Sequence, residues 1–361
     1  MRLDPTNNEL ITFAPDPTLK PIDDAMNEIF EKYGMPRLGG ASGRGWSSYA
    51  TLQRCPYLFK VTYEDGHRGV AAKALETGSA FHTFMALHYS WMRDENWPLS
   101  PDQCREEMMV AGVRPDAVIE AWTAFDNYRM HYEVDYLWPL AIEEWAQGDD
   151  GNTCRYDMIA EVRGDHPGIT AGTYIVEHKT AARFTSDLIE GWHNDGEVLG
   201  QIMIYKQAKL SKKYGKLVGT IVNIAGKQKI PKFHRTIVPA QAWHVSSHQK
   251  DLKVWQAMKE MYRATGSWPK ARNNCVNRFG MCQLFGHCST NEKDSPLVQI
   301  QKAEARLVRA AKAAAKNFPE ESIAVATESQ LGLDSTSESS DTTNGVFSES
   351  TIENNASEAT T

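Results

Sequence analysis

The stretch Arg155-Tyr-Asp-Met-Ile-Ala160, followed by Tyr174-Ile-Val-Glu-His-Lys179, decides the fold. Arg155 to Val162 and Thr173 to Lys179 read as two strands, joined by turn residues around Asp165-His-Pro-Gly168. Facing residues in an antiparallel hairpin lie at equal distances from its turn. A turn centred on Pro167 therefore sets Asp157 opposite Glu177. Alternation puts Lys179 on the same face as Glu177. Two facing carboxylates in a core hairpin repel each other unless a cation sits between them. All-oxygen ligands favour a hard ion such as Mg²⁺ or Mn²⁺. Such an ion polarises a phosphodiester and acidifies a water, and a neighbouring lysine offsets charge in the transition state. Glu-x-Lys by itself is common on surface strands, so the weight rests on Asp157 facing it.

Outward from this hairpin, the pattern predicts a helix from about Ser186 to Leu210. Two more strands follow, Leu217 to Ala225 and Lys232 to Val238, then a helix from Gln241 to Ala264 that stops at Gly266. Upstream, the spacing predicts an amphipathic stretch over Ile22 to Tyr33, a Gly-rich loop over Leu38 to Gly45, and helices from Ser47 to Arg93, interrupted at Cys55-Pro56. Residues 101–147 also read as helical, rich in Trp and Tyr at core-like spacing. The Gly-rich loop lacks the Walker arrangement of a phosphate cradle. The chain shows no internal repeat.

These motifs resemble the PD-(D/E)XK nucleases, and more narrowly their RecB-type branch, which includes AddB-type subunits, CRISPR-associated exonucleases and phage proteins. Gly78-Ser-Ala-Phe-His82 is similar to the upstream helical motif of that branch, and Gln201-x-x-x-Tyr205 to its Gln-x-x-x-Tyr motif. The match runs over about residues 47–290. It implies an α/β fold: a restriction-endonuclease-like core with a central mixed β-sheet flanked by helices, plus a helical N-terminal region. It also implies a metal site formed by His82, Asp157, Glu177 and the carbonyl of His178. Lys179 would assist a water, and Gln201 and Tyr205, on one helix face, would serve the same catalytic site. The partner is DNA, and the action is that of an exonuclease in recombination, repair or phage DNA processing. The chain carries no helicase motif, so any helicase or recombination protein would be a separate chain.

Cysteines form a second constellation. Cys275, Cys282 and Cys288 follow the nuclease region, and Cys55 lies far upstream, before Pro56. The resemblance implies that these four hold a [4Fe-4S] cluster in a C-terminal clasp, since such a cluster takes four thiolates. The first gap here has six residues where the branch usually has two. Zinc also takes four thiolates, and plain buried cysteines are the third reading. Cys104 and Cys154 read as core residues.

Hydrophobic residues make up 41% of the chain and charged ones 24%, which suits a soluble protein able to build a core. No run is long and apolar enough for a membrane span, so no membrane association and a cytoplasmic setting with reduced thiols are expected. Residues 319–361 hold nine acidic residues and no Lys or Arg, which predicts a disordered tail. Without those nine charges the formal −7 becomes +2, a balance compatible with nucleic acid. Two basic sets, Lys227/Lys229/Lys232/Arg235 and Lys302/Arg306/Arg309/Lys312/Lys316 on a helix within 291–318, are candidates for tracking phosphates. The competing readings are a catalytically silent DNA-binding or adaptor protein on the same scaffold, and an iron-sulfur redox sensor.

Overall fold

Five strands make one mixed sheet in the order β1-β2-β3-β4-β5: β1 (Leu137–Gln147), β2 (Thr153–Val162), β3 (Gly172–Ala181), β4 (Leu217–Gly226) and β5 (Phe233–Pro239). Only the β3–β4 pair is parallel. A parallel pair needs a crossover, and the segment from residue 182 to 216 supplies it with helices. The computed structural model describes residues 19–35, 45–66, 73–164, 166–228, 230–277, 280–282 and 284–289, with Arg306 and Arg309. The chain divides into two units, Met1–Ser289 and Thr290–Thr361. Of the second, only Arg306 and Arg309 are described, both helical and exposed. The acidic tail, Leu38–Arg44 of the Gly-rich loop and most of the basic helix lie outside the described residues.

Two helical layers cover the sheet. On one face lie α1 (Ile22–Lys32), α4 (Lys73–Arg93), α5 (Pro101–Val110) and α6 (Pro115–His131). They bury Met158, Ala160, Tyr174, Val176 and Ile221. The other face carries α2 (Trp46–Arg54), α8 (Gly196–Gln207) and α10 (Ala242–Thr265), over Tyr156, Ile159, Ile175, Val222 and Ile224. Alternation along β3, and along β4 beyond the register shift near Leu217, sends odd and even residues to opposite layers, as in a central strand buried on both faces. The short α3 (Pro56–Phe59) leads into a π-helical turn, Lys60–Glu64. No described helix is long and apolar enough to cross a membrane.

The hairpin register is the predicted one. Met158 pairs with Val176 and Ile159 with Ile175, and His166 bridges to Ile169 around Pro167-Gly168. Gly168 sits at φ 79°, the left-handed conformation this turn needs.

Three expectations fail. Residues 137–147 form β1 rather than a helix. The expected helix from Ser186 to Leu210 is broken into α7 (Ser186–Gly191), a 3₁₀ turn (Trp192–Asn194), α8 and α9 (Ser211–Tyr214). Asp195 restarts the chain there by capping α8, its Oδ1 accepting the Glu197 N–H at 2.8 Å. Arg235 and Lys227 are not phosphate-tracking cations: Arg235 is buried against Asp135, and Lys227 stands 3.4 Å from Glu120 with its side chain mostly covered. The helix from Gln241 is found, and Gly266 ends it in the left-handed conformation.

Candidate active site

The sheet forks at the predicted pair. Hydrogen-bonded pairing between β2 and β3 ends at Met158/Val176. Beyond that rung, residues 153–156 of β2 pair only with β1, and residues 177–181 of β3 only with β4. Asp157 and Glu177 stand at the opening.

A second irregularity lies on the same rung. Met158 and Ala160 pack under α4 and α6, yet Tyr156, of the same parity, packs under α8. In β1, Ile142 and Ala146 show the same switch. The register is kept across it, with Ile142 opposite Met158 and Glu144 opposite Tyr156. Both strands therefore reverse faces together at Glu143 and Asp157, and Glu143 takes φ 54°, uncommon for a residue with a Cβ.

Asp157 is buried, and its Oδ2 accepts the His178 N–H at 2.8 Å. His82 Nδ1, from α4, stands 3.2 Å from the same oxygen. Burial pushes the Asp157 carboxyl up, but charge on His82 outweighs it and holds the group well below the usual range. Burial also opposes protonation of His82, yet the Asp157 charge lifts it to about 9. Glu177 is pushed up to about 8, first by burial and then by Asp157. Glu143 rises to about 7 through burial, against the pull of Arg155. Arg155 Nε is 2.7 Å from Glu143 Oε2, an ion pair without hydrogen-bond geometry. Two buried carboxylates, Asp157 and Glu177, and the partly buried Glu143 beside one histidine make an electrostatic conflict that a divalent cation would relieve, and the donor set fits a hard ion. Among the described residues, no three His, Cys, Asp or Glu side chains already converge as a ligand cage. The potential ligands are paired with one another instead.

Lys179 sits between two carboxylates. Its Nζ donates to Glu177 Oε1, and to Glu197 Oε2 at 2.8 Å. Burial works against its charge, but Glu177 and Glu197 hold its pKa well above the ordinary value. Gln201 Nε2 donates to Glu177 Oε2 at 2.6 Å, while Gln201 Oε1 is buried with no hydrogen-bond partner. Such an orphaned acceptor costs about 1–3 kcal/mol, which a bound donor would recover. Tyr205 is not brought to the carboxylates. Its hydroxyl donates to the Gly215 carbonyl at 2.8 Å, and its ring packs against Tyr156.

The His178 side chain points to the opposite face of β3 from Glu177. Its ring stacks on Tyr89 at 5.6 Å, and its Nδ1 accepts from Asn223 Nδ2 at 2.9 Å. Burial lowers its pKa to about 3, so the ring is neutral with the remaining proton on Nε2. The same Asn223 amide donates to Tyr128 OH at 2.9 Å. Arg235 grips Asp135 through two nitrogens, at 2.8 and 2.7 Å, and donates to Tyr128 at 2.7 Å. Tyr89 closes the circuit by donating to Asp135 at 2.8 Å. Tyr89 and His82 are both on α4, so this buried network ties the helix bearing His82 to the strand bearing Glu177.

A cleft of about 630 Å³ opens over the fork. His82, Glu143, Asp157, Glu177, Lys179 and Gln201 all line it. Gly78, one turn before His82, also lines the cleft, and a Cβ there would meet open space. Sequence reasoning missed Glu143 and Glu197. Glu197 lies four residues before Gln201, a helix-face signal that was readable. Glu143 becomes visible only once β1 is known to pair with β2.

The cysteine segment meets α3. Asn274 Nδ2 donates to the Arg54 carbonyl at 2.7 Å, the Tyr57 N–H to the Pro269 carbonyl at 3.1 Å, and Tyr57 OH lies 2.6 Å from His287 Nε2. Cys282 N–H donates to the Cys275 carbonyl at 2.7 Å. Burial raises the Cys288 thiol, against the pull of the Lys270 charge. Among the described residues, which include Cys55, Cys275, Cys282 and Cys288, these side chains do not converge as a metal-ligand group. Cys104 is buried, as predicted, whereas Cys154 is only partly covered and lines the cleft.

The profile of the PD-(D/E)XK nuclease superfamily matches residues 46–289, more than half of the chain. None of the curated proteins matches it. Among solved structures, a candidate exonuclease from Eubacterium rectale is similar at 12% identity and a TM-score of 0.41, over 71% of this chain and 92% of that one.

Proposed function

The chain belongs to the PD-(D/E)XK nuclease superfamily, and from that premise we propose that it hydrolyses phosphodiester bonds in DNA with Mg²⁺ or Mn²⁺. His82, Asp157, Glu177 and the backbone carbonyl of His178 would hold the ion. One observation carries the reading: two buried carboxylates meet at a fork in the sheet beside a lysine kept cationic. The ion, when bound, polarises the scissile phosphate and acidifies a water. The His178 N–H fixes the Asp157 carboxylate. Lys179 supplies positive charge where the phosphate becomes more anionic. Gln201 Oε1 accepts a proton donor, and the attacking water suits it. The motif resemblance further suggests exonuclease action on DNA ends in recombination, repair or phage DNA processing, with any helicase a separate chain.

The test is incubation of the full chain with end-labelled single- and double-stranded linear DNA in Mg²⁺, in Mn²⁺ and in EDTA. Release of label with either metal and none in EDTA is the expected result. Intact DNA in both metals would sink the nuclease and favour the DNA-binding or adaptor reading.

The four cysteines are proposed to hold a [4Fe-4S] cluster that fastens α3 to the C-terminal segment, with zinc as the alternative. What supports the reading is the motif resemblance, together with the hydrogen bonds that tie the cysteine segment to Arg54 and Tyr57, on either side of Cys55. Protein purified without air is expected to contain about four iron atoms per chain and to absorb near 400 nm. One zinc atom and no such absorbance would select the alternative, and neither metal would return the cysteines to plain packing.

A further inference from the structure

Exposure of large apolar side chains inside the cleft points to the form of DNA it takes. Trp145 is 59% exposed and Leu75 is 66% exposed, and both line the catalytic cleft. Leu75 stands on α4 with Gly78, Ser79 and His82, at the spacing of one helix face. Trp145 stands on the β1–β2 prong of the fork, paired across the strands with Arg155. The face reversal at Glu143 and Asp157 is what turns this pair outward. Ala146, next to Trp145, is buried in the layer under α8.

Charge in the cleft argues the same way. Among the described lining residues, Arg155 and Lys179 are the only Lys or Arg, and each is already engaged by a carboxylate. Asp23, Glu143, Asp157, Glu177 and Glu197 line it as well. A duplex groove depends on several cations along its phosphates, and its bases are stacked away from apolar walls. Unpaired bases expose their faces and gain by stacking on an aromatic ring, whatever the sequence.

We propose that the cleft takes single-stranded DNA, with an unpaired base stacked on Trp145 and the adjoining phosphate drawing Arg155 from Glu143. This rests on the nuclease reading and adds the substrate form to it. Duplex DNA enters only where its end is frayed or carries an overhang.

Binding of a labelled oligothymidylate, and of a blunt hairpin duplex, is measured by fluorescence anisotropy with Mg²⁺. The full chain carries Glu177→Gln so that the DNA is not consumed, alone and combined with Trp145→Ala or Trp145→Phe. The single strand is expected to bind more tightly than the duplex. Trp145→Ala is expected to weaken single-strand binding by about 5- to 100-fold, and Trp145→Phe to keep most of it. The salt dependence should be shallow, as for few phosphate contacts on a single strand. Equal or tighter duplex binding, or unchanged single-strand binding in Trp145→Ala, overturns the proposal. The unmutated chain separates the two readings. Single-strand binding through Trp145 without cleavage of any DNA rejects the nuclease and keeps the inference. Cleavage of blunt duplex as fast as of single strands keeps the nuclease and rejects the inference.

Discussion

Lys179→Ala is expected to slow DNA cleavage by at least about 100-fold while the chain stays folded, because a preorganised charge aimed at a transition state is worth that much. Lys179 is the one Lys or Arg in contact with both Glu177 and Glu197 among the described residues. Its loss leaves Glu177 buried beside Asp157 without that counter-charge. The fold has a way to absorb this. Glu177 is already pushed up to about 8, so in the metal-free chain its carboxyl holds a proton at neutral pH with the lysine present, and removing the lysine only pushes it further. Stability therefore changes little, while the positive charge is lost and the Glu177 carboxyl becomes harder to ionise for a metal ion. Single-turnover cleavage and a thermal melt read the two effects separately. Glu197→Gln is the contrast: it leaves Lys179 its contact with Glu177, and the loss in rate should be smaller. A Lys179→Ala chain that cuts at close to the normal rate would remove the lysine from the mechanism.

Asp135→Ala is expected to destabilise the fold by about 3–5 kcal/mol, since it strands a buried guanidinium. The Arg235 and Asp135 side chains are 5% and 3% exposed. Tyr132 lies under the guanidinium at 3.7 Å, which shields it further from water. Urea unfolding measures the loss. Arg235→Met in the same chain should recover much of it, because removing both charges avoids the stranded one. Burial opposes ionisation of Asp135, but the Arg235 hydrogen bonds win and hold its pKa below the ordinary value. A depressed carboxylate pKa gives stability that is present at neutral pH. It is lost as pH falls below about 4 and through the folded-state value. The double variant should lose less stability on acidification than the natural chain. Loss of stability equal in Asp135→Ala and in the double variant would show that the charge pair is not what matters.

The catalytic hairpin was legible because its information is local. Turn residues at Pro167-Gly168 fix the register, and period-two alternation fixes the faces, so Asp157 and Glu177 could be set together from spacing alone. The β1 strand was not legible, for three reasons in its own residues. Pro139 interrupts it, the register shifts between Pro139 and Ala141, and the face reversal at Glu143 destroys the alternation. Ala, Leu and Glu in that segment favour helix in isolation. Glu143 was hidden with it. Arg235 looked like a surface cation because its partner, Asp135, lies a hundred residues away. The Gln201/Tyr205 spacing correctly identified one helix face, but spacing does not reveal where a hydroxyl finds its acceptor. In Tyr205 that acceptor is the Gly215 carbonyl.

The fork also gives the molecule a natural reporter. Beyond Met158/Val176, the inner edges of two strands are not protected by each other. The His178 amide is held instead by the Asp157 carboxylate. Exchange of that amide with deuterated solvent is therefore governed by a side chain whose state changes when the site is filled. Compared with the Val176 amide, inside the regular ladder, it forms an isotopic gauge of occupancy that needs neither DNA nor turnover.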